Sequence, residues 1–138
     1  MSSMLSTQTE FSQMIETREG TQHREARRVV QFYLELKGRA VVGRNYFQFL
    51  PKFVKENKLE KRFQGHSYDI VTQDEVIEID DLTSHPNKSH RIADGIAEKY
   101  IRECHPEYKF YRLLKEEITN TKGHIQPTAR DYLREHLF

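Results

Sequence analysis

One cysteine, Cys104, is all the thiol chemistry this chain has. An intramolecular disulfide is excluded, and so is a structural zinc site of the usual kind; the seven histidines do not fall into zinc-finger spacing. Charge of one sign is also lacking. Lys and Arg number 22 against 21 Asp and Glu. That removes the large basic excess which alone would argue for nucleic-acid binding, although it leaves room for a local basic patch. No apolar run approaches the length of a bilayer span. The opening MSSMLSTQTEFSQ is polar, without the apolar segment of a secretion signal. A soluble, intracellular, cytoplasmic protein with no membrane partner is expected. Apolar residues are sparse, but 7 tyrosines and 8 phenylalanines can fill a small core. The 138 residues suit one domain: a flexible Ser/Thr/Gln-rich segment over 1–18, then a single domain over 19–138.

The stretch TQHREARRVVQFYLELKG opens with Thr21 as a cap and carries an apolar stripe of Ala26, Val29, Val30, Tyr33, Leu34 and Leu36. This predicts a helix ended by Gly38. RAVVG (39–43) reads as a short strand. Residues 44–63 are ambiguous; a short helix from near Pro51 to near Lys58 is the expectation. SYDIV and EVIEID flank a polar turn and predict a hairpin. After the loop DLTSHPNKSH, the spacing of Ile92, Ile96, Ala97, Tyr100 and Ile101 predicts a helix from about Lys88 to His105-Pro106. YKFYRLL (108–114) has strand composition, TNTKGHIQP reads as a loop, and a terminal helix begins near Thr128. The order implies a mixed α/β domain with a central mixed sheet flanked by helices.

Within this order, YDIVTQDEVIEIDD (68–81) holds six acids in fourteen residues. Side chains alternate along a strand, so Ile77 and Ile79 face a core while Glu78 and Asp80 face away. Matching apolar residues across the hairpin sets Val71 against Val76 and Ile70 against Ile77, and hence Asp69 against Glu78. Asp69, Glu78 and Asp80 then converge on one face. Like charges placed opposite one another repel, so an oxygen-liking cation such as Mg²⁺ or Mn²⁺ is the natural occupant. The alternative is a solvated acidic edge with no ligand. The crowding also predicts that removing Glu78 leaves metal-free stability unchanged or raises it.

Asp69 followed by a strand bearing Glu78-Ile79-Asp80 resembles the PD-(D/E)xK restriction-endonuclease-like superfamily. Its core runs helix, strand, acid-bearing hairpin, helix, strand, and the resemblance covers residues 21–118. The opening helix with His23 and Glu25, leading into GRAVV, is similar to the first helix and strand of such nucleases, in which a Glu often assists the metal. The superfamily's lysine, two residues after the Glu, is Asp80 here. Very-short-patch-repair-like endonucleases have a similar E-x-D strand, then a histidine and R-x-x-D on a helix. The corresponding residues are Glu78-Ile79-Asp80, His85 and Arg91-Ile92-Ala93-Asp94, with Asp81 where a glycine is usual and the histidine displaced by about one residue.

The resemblance implies metal-dependent hydrolysis of a phosphodiester, with Asp69, Glu78 and Asp80 as metal ligands. Such cleavage needs an activated water, a cation at the phosphorane-like transition state and a proton for the leaving oxygen. His85 or His90 could handle protons, Lys88 could stand in for the lysine, and Glu25 could assist the metal. Each also has a plain reading: a surface loop residue or, for Glu25, a helix acid paired with Arg28. Cations for DNA come from Arg24, Arg27 and Arg28 and from the stretch holding Lys52, Lys55, Lys58, Lys61 and Arg62. Tyr46, Phe47, Phe49 and Phe53 among them read as core before base-step wedges. The expectation is a structure-directed DNA endonuclease acting at a nick, junction, mismatch or damaged base, helped by a homodimer or partner protein because the chain has no separate specificity domain. The same residues do not separate DNA from RNA. The missing lysine keeps open a second reading, a catalytically inactive module that binds nucleic acid or protein.

Overall fold

Helix α1 (Gln22–Leu36) leads the fold in the computed structural model, which describes residues 22–82 and 88–137. Ala26, Val30, Tyr33 and Leu34 are buried along its stripe, whereas Leu36 and Phe32 are exposed. Gly38 ends it with φ of 77°, a left-handed conformation that costs glycine no Cβ clash. The Arg39 amide then donates to the Leu34 carbonyl at 2.9 Å. The segment expected over 1–18 lies outside the described residues.

Strand β1 (Val41–Gln48) runs beyond the 39–43 expected, because the aromatic stretch after Gly43 continues the ladder. Helix α2 (Pro51–Glu56) starts on its proline, where no intrahelical N–H is needed. Strands β2 (Gly65–Thr72) and β3 (Glu75–Asp80) form the hairpin in the expected register, Val71 opposite Val76 and Ile70 opposite Ile77. Helix α3 (Lys88–Cys104) is the crossover to β4 (Lys109–Leu114), which pairs with β3 in parallel. The single turn α4 (Lys115–Ile118) and helix α5 (Ala129–Leu137) complete the chain, with the intervening loop pinned by a Thr119–Ile125 bridge. The four-stranded mixed sheet has the order β1-β2-β3-β4.

Both faces of this sheet are covered. On one, Ile70, Ile77, Ile79 and Leu113 pack against α1, α4 and α5. On the other, Tyr68, Val71 and Val76 pack against Ala97, Tyr100 and Ile101 of α3, with Phe49 and Phe53 closing the cluster. The Tyr68 hydroxyl donates to the Ala97 carbonyl at 2.7 Å and pins α3 to β2. Phe49 and Phe53 are therefore core, Phe47 packs edge-on against Tyr68, and Tyr46 lies exposed over Gly65, where no room is left for a Cβ. Ile92, expected on the inner face of α3, is 53% exposed. No helix among the described residues is long and apolar enough to cross a membrane.

An ion pair between the half-buried Arg39 and a buried carboxylate ties the hairpin turn to the entry of β1. Glu75 is fully buried, paired with Arg39, and accepts the Thr72 hydroxyl at 3.1 Å. Arg39→Met would strand that carboxylate without its cation, and a loss of about 3 kcal/mol is expected in a urea titration. An unchanged midpoint would mean that Glu75 is satisfied without Arg39.

Candidate active site

A register shift in β2 places Asp69. Between the pairs Gly43–Val71 and Asn45–Tyr68, β2 advances by one residue more than β1. The extra residue breaks strict alternation. Tyr68 and Val71 both reach the α3 face, while Ile70 reaches the α1 face. Beyond Ile70–Ile77 side chains take over from the backbone ladder. Glu78 Oε1 accepts the Asp69 amide at 2.8 Å, and Asp69 Oδ2 accepts the Ile79 amide at 2.9 Å. Asp69 and Glu78 do meet, each carboxylate satisfying the other's strand. His66, upstream on β2, bonds through Nε2 to Glu78 Oε2 at 3.0 Å, and its ring packs edge-on against Tyr68.

The open acidic face expected from the sequence is not there. Glu78 is 6% exposed, because α3 covers the side of β3 that alternation had left to solvent. Burial first, and the Asp69 charge second, push the Glu78 carboxyl up from its ordinary value against the pull of His66 and the Asp69 amide. Burial disfavours the His66 cation, but the bond and charge of Glu78 prevail and raise its pKa. Both groups hold protons more readily than they would in water. The structure also reverses the expected effect of deleting Glu78, whose side chain satisfies a backbone amide and a half-buried imidazole.

Asp80 does not join this pair. Its Oδ1 accepts Arg112 Nη1 at 3.1 Å. Arg112 stands opposite Glu78 on β4, donates from Nε to Glu98 Oε1 at 2.7 Å and from Nη2 to the Asp94 carbonyl at 2.9 Å. Burial works against the Glu98 charge, but hydrogen bonds from Arg112 and Arg102 prevail and hold its carboxyl below the usual range. Asp81, buried at the end of β3, has His23 Nε2 at 3.8 Å. The Leu82 amide donates a hydrogen bond to Glu116 Oε1 at 2.9 Å. Beside these groups lies an open cleft of about 430 Å³ lined by Asp80, Asp81, Asp94, Glu98, Arg112 and Leu114, among others. The expected trio is thus a linked pair, Asp69 and Glu78, with Asp80 ion-paired beside it. Among the described residues no three His, Cys, Asp or Glu side chains are grouped to hold one ion.

Glu25 stays apart from these acids: it accepts Arg28 Nη1 at 3.3 Å on the exposed side of α1. His85 lies outside the described residues, and of Lys88, His90 and Arg91 only the helical backbone is described. Arg24 and Arg27 are half-buried on α1, while Lys52, Lys55, Lys61 and Arg62 are exposed. The guanidinium of Arg62 lies 4.7 Å from the centre of the Phe63 ring. Phe63 shares a small pocket with Gly65 and His66, which puts the basic turn Lys61–Phe63 beside the His66 end of the site.

His66 and Arg112 escaped the sequence reading. Arg112 had left a signal: it is the one charged residue in the run FYRLL of β4, and a charge in a strand that packs a core needs a partner. Nothing local to the sequence says that β4 aligns that partner beside Glu78 and Asp80. For His66 there is no comparable signal, since its contact with Glu78 depends on how the hairpin opens beyond Ile70. No protein-family model, curated protein or solved structure matches the chain.

Proposed function

We propose that this protein is a divalent-metal-dependent DNA endonuclease, a hydrolase with a restriction-endonuclease-like core. The observation that carries this reading is the meeting of Asp69 and Glu78 across the β2–β3 hairpin, where two acids stand close enough for the charge of one to disfavour that of the other. The element order supports it as well: helix, strand, acid-bearing hairpin, helix, and a strand parallel to the hairpin's second arm. Mg²⁺ commonly takes one or two carboxylates and completes its shell with water and substrate phosphate, so two acids are sufficient. A carboxylate offers about four lone-pair sites, of which Glu78 uses one on the Asp69 amide and one on His66. The residue set fits such an ion, with Asp69 and Glu78 holding it.

A bound Mg²⁺ or Mn²⁺ would supply Lewis-acid stabilisation of the phosphorane-like charge and a more acidic water. The chain's own residues do the rest. The exchanged amide bonds fix both carboxylates to the opposite strand. His66 orients Glu78 and balances part of its charge, and Tyr68 and α3 keep bulk water from the inner side. The exposed Lys61 and Arg62 offer backbone-phosphate contacts next to His66, with salt-sensitive and modest affinity. Recognition in this reading is of the shape of a nick, junction, mismatch or damaged site, with help from a second copy or a partner protein.

Incubation of supercoiled plasmid and of branched and mismatched duplexes with Mg²⁺ or Mn²⁺ is expected to give nicks that chelator and Asp69→Asn both prevent. Single-stranded and duplex RNA in the same series separates a DNA enzyme from an RNA enzyme. The Asp80–Arg112 pair, standing where a lysine is usual, favours a second reading: a nuclease-fold module without catalysis. That reading is upheld by DNA binding that is equal in chelator, with no cleavage and no Mn²⁺ uptake by calorimetry.

A further inference from the structure

We propose that Arg112 is the phosphate-binding cation of this site and does from β4 what a lysine at position 80 would do from β3; the inference rests on the endonuclease reading above. Parallel pairing sets Arg112 opposite Glu78, so its side chain emerges on the same face as Glu78 and Asp80. Its Nη1 reaches Asp80 Oδ1 at 3.1 Å, which sets the guanidinium against the Asp80 carboxylate, two residues after Glu78 on β3. The group is held from three sides, by Asp80, by Glu98 at 2.7 Å and by the Asp94 carbonyl at 2.9 Å, and the Phe110 ring lies 5.2 Å away.

This fixation leaves a donor to spare. A guanidinium carries five N–H donors in a planar fork. Nε spends its only hydrogen on Glu98, Nη1 turns to both Asp80 oxygens at 3.1 and 3.4 Å, and Nη2 gives one of its two to the Asp94 carbonyl, which leaves the other Nη2 hydrogen for a ligand. Arg112 is 27% exposed and is a cation lining a cleft otherwise rich in acids: Asp80, Asp81, Asp94 and Glu98. An anionic phosphodiester meets repulsion from those acids unless positive charge waits there. The metal supplies part of it and Arg112 supplies a preset, directional part suited to phosphate oxygens. The acids have a second effect. They hold the guanidinium in place without a substrate, so little ordering entropy is lost when the phosphate arrives.

The rival explanation is a purely structural clamp between β3, β4 and α3. Wild type, Arg112→Gln and Arg112→Lys are compared by Tm, by Mn²⁺ affinity, by anisotropy of labelled nicked duplex in Ca²⁺, and by steady-state cleavage in Mg²⁺. The expected result for Arg112→Gln is DNA binding weakened about tenfold and kcat lowered about 10²-fold. Mn²⁺ affinity should be retained or improved, because Asp80 is released. Arg112→Lys should recover part of both losses. A clamp would lower Tm alike in both variants and leave DNA affinity and kcat of the folded protein unchanged, which overturns the proposal. Wild type that cleaves while Arg112→Gln cleaves equally well sinks the role of Arg112 alone. Wild type that neither binds nor cleaves any duplex sinks the endonuclease reading and this inference with it.

Discussion

Glu78→Gln is expected to lower plasmid nicking by about 10²-fold or more while leaving the protein folded. The amide is close to the carboxylate in shape. Its Oε1 can still accept the Asp69 amide, and its Nε2 can donate to His66 in the other tautomer, so both buried bonds survive. What disappears is the charge that burial and Asp69 already disfavour. Metal-free Tm should therefore stay level or rise slightly. Mn²⁺ titration of the same variant should show affinity much reduced. Glu78→Ala makes the contrast. It leaves the Asp69 amide and the His66 ring without their acceptor, at about 1–3 kcal/mol, so its Tm should fall well below that of Glu78→Gln. Equal Tm values for the two variants would mean that Glu78 faces water. Nicking by Glu78→Gln at the wild-type rate would remove Glu78 from the chemistry.

Ile77→Asp is expected to unfold the domain. Ile77 is fully buried on the α1 face with Ile70, Ile79 and Leu34. A carboxylate there loses the packing of the isoleucine, about 2–5 kcal/mol for truncation alone, and adds the cost of an unpaired buried charge. The sum rivals the total stability of an ordinary domain, about 5–15 kcal/mol. Circular dichroism at 20 °C and proton NMR dispersion test this directly. A dispersed spectrum with wild-type helix content would show that Ile77 does not face the core and that the strand register is displaced by one residue. Ile77→Val, which shortens the side chain by one methyl, should fold and lose about 1 kcal/mol; it separates a local packing effect from misplacement of the whole strand.

The elements that depend on short-range periodicity were legible. The stripe of α1, its end at Gly38 and the hairpin turn all follow from neighbours a few residues apart. The meeting of Asp69 with Glu78 was legible as well, because matching Val71 to Val76 and Ile70 to Ile77 allows one register. The manner of that meeting was not. The extra residue in β2 is a property of the β1–β2 pairing, and it sends Tyr68 and Ile70 to opposite faces although they lie two apart.

The sequence by itself therefore determined the hairpin register and the meeting of Asp69 with Glu78, since spacing and apolar matching act within one stretch of chain, though it wrongly added Asp80 to them. The tertiary structure decided how those acids are dressed. Docking of α3 turned an acidic face expected in solvent into the buried setting of Glu78, and the parallel pairing of β4 delivered Arg112 to Asp80. Both depend on contacts between segments some 30 residues apart, set by the total apolar surface the fold buries rather than by any local pattern. That surface, closing over a strand with charges on it, is what makes Asp69, Glu78 and His66 one group and hands Asp80 to Arg112.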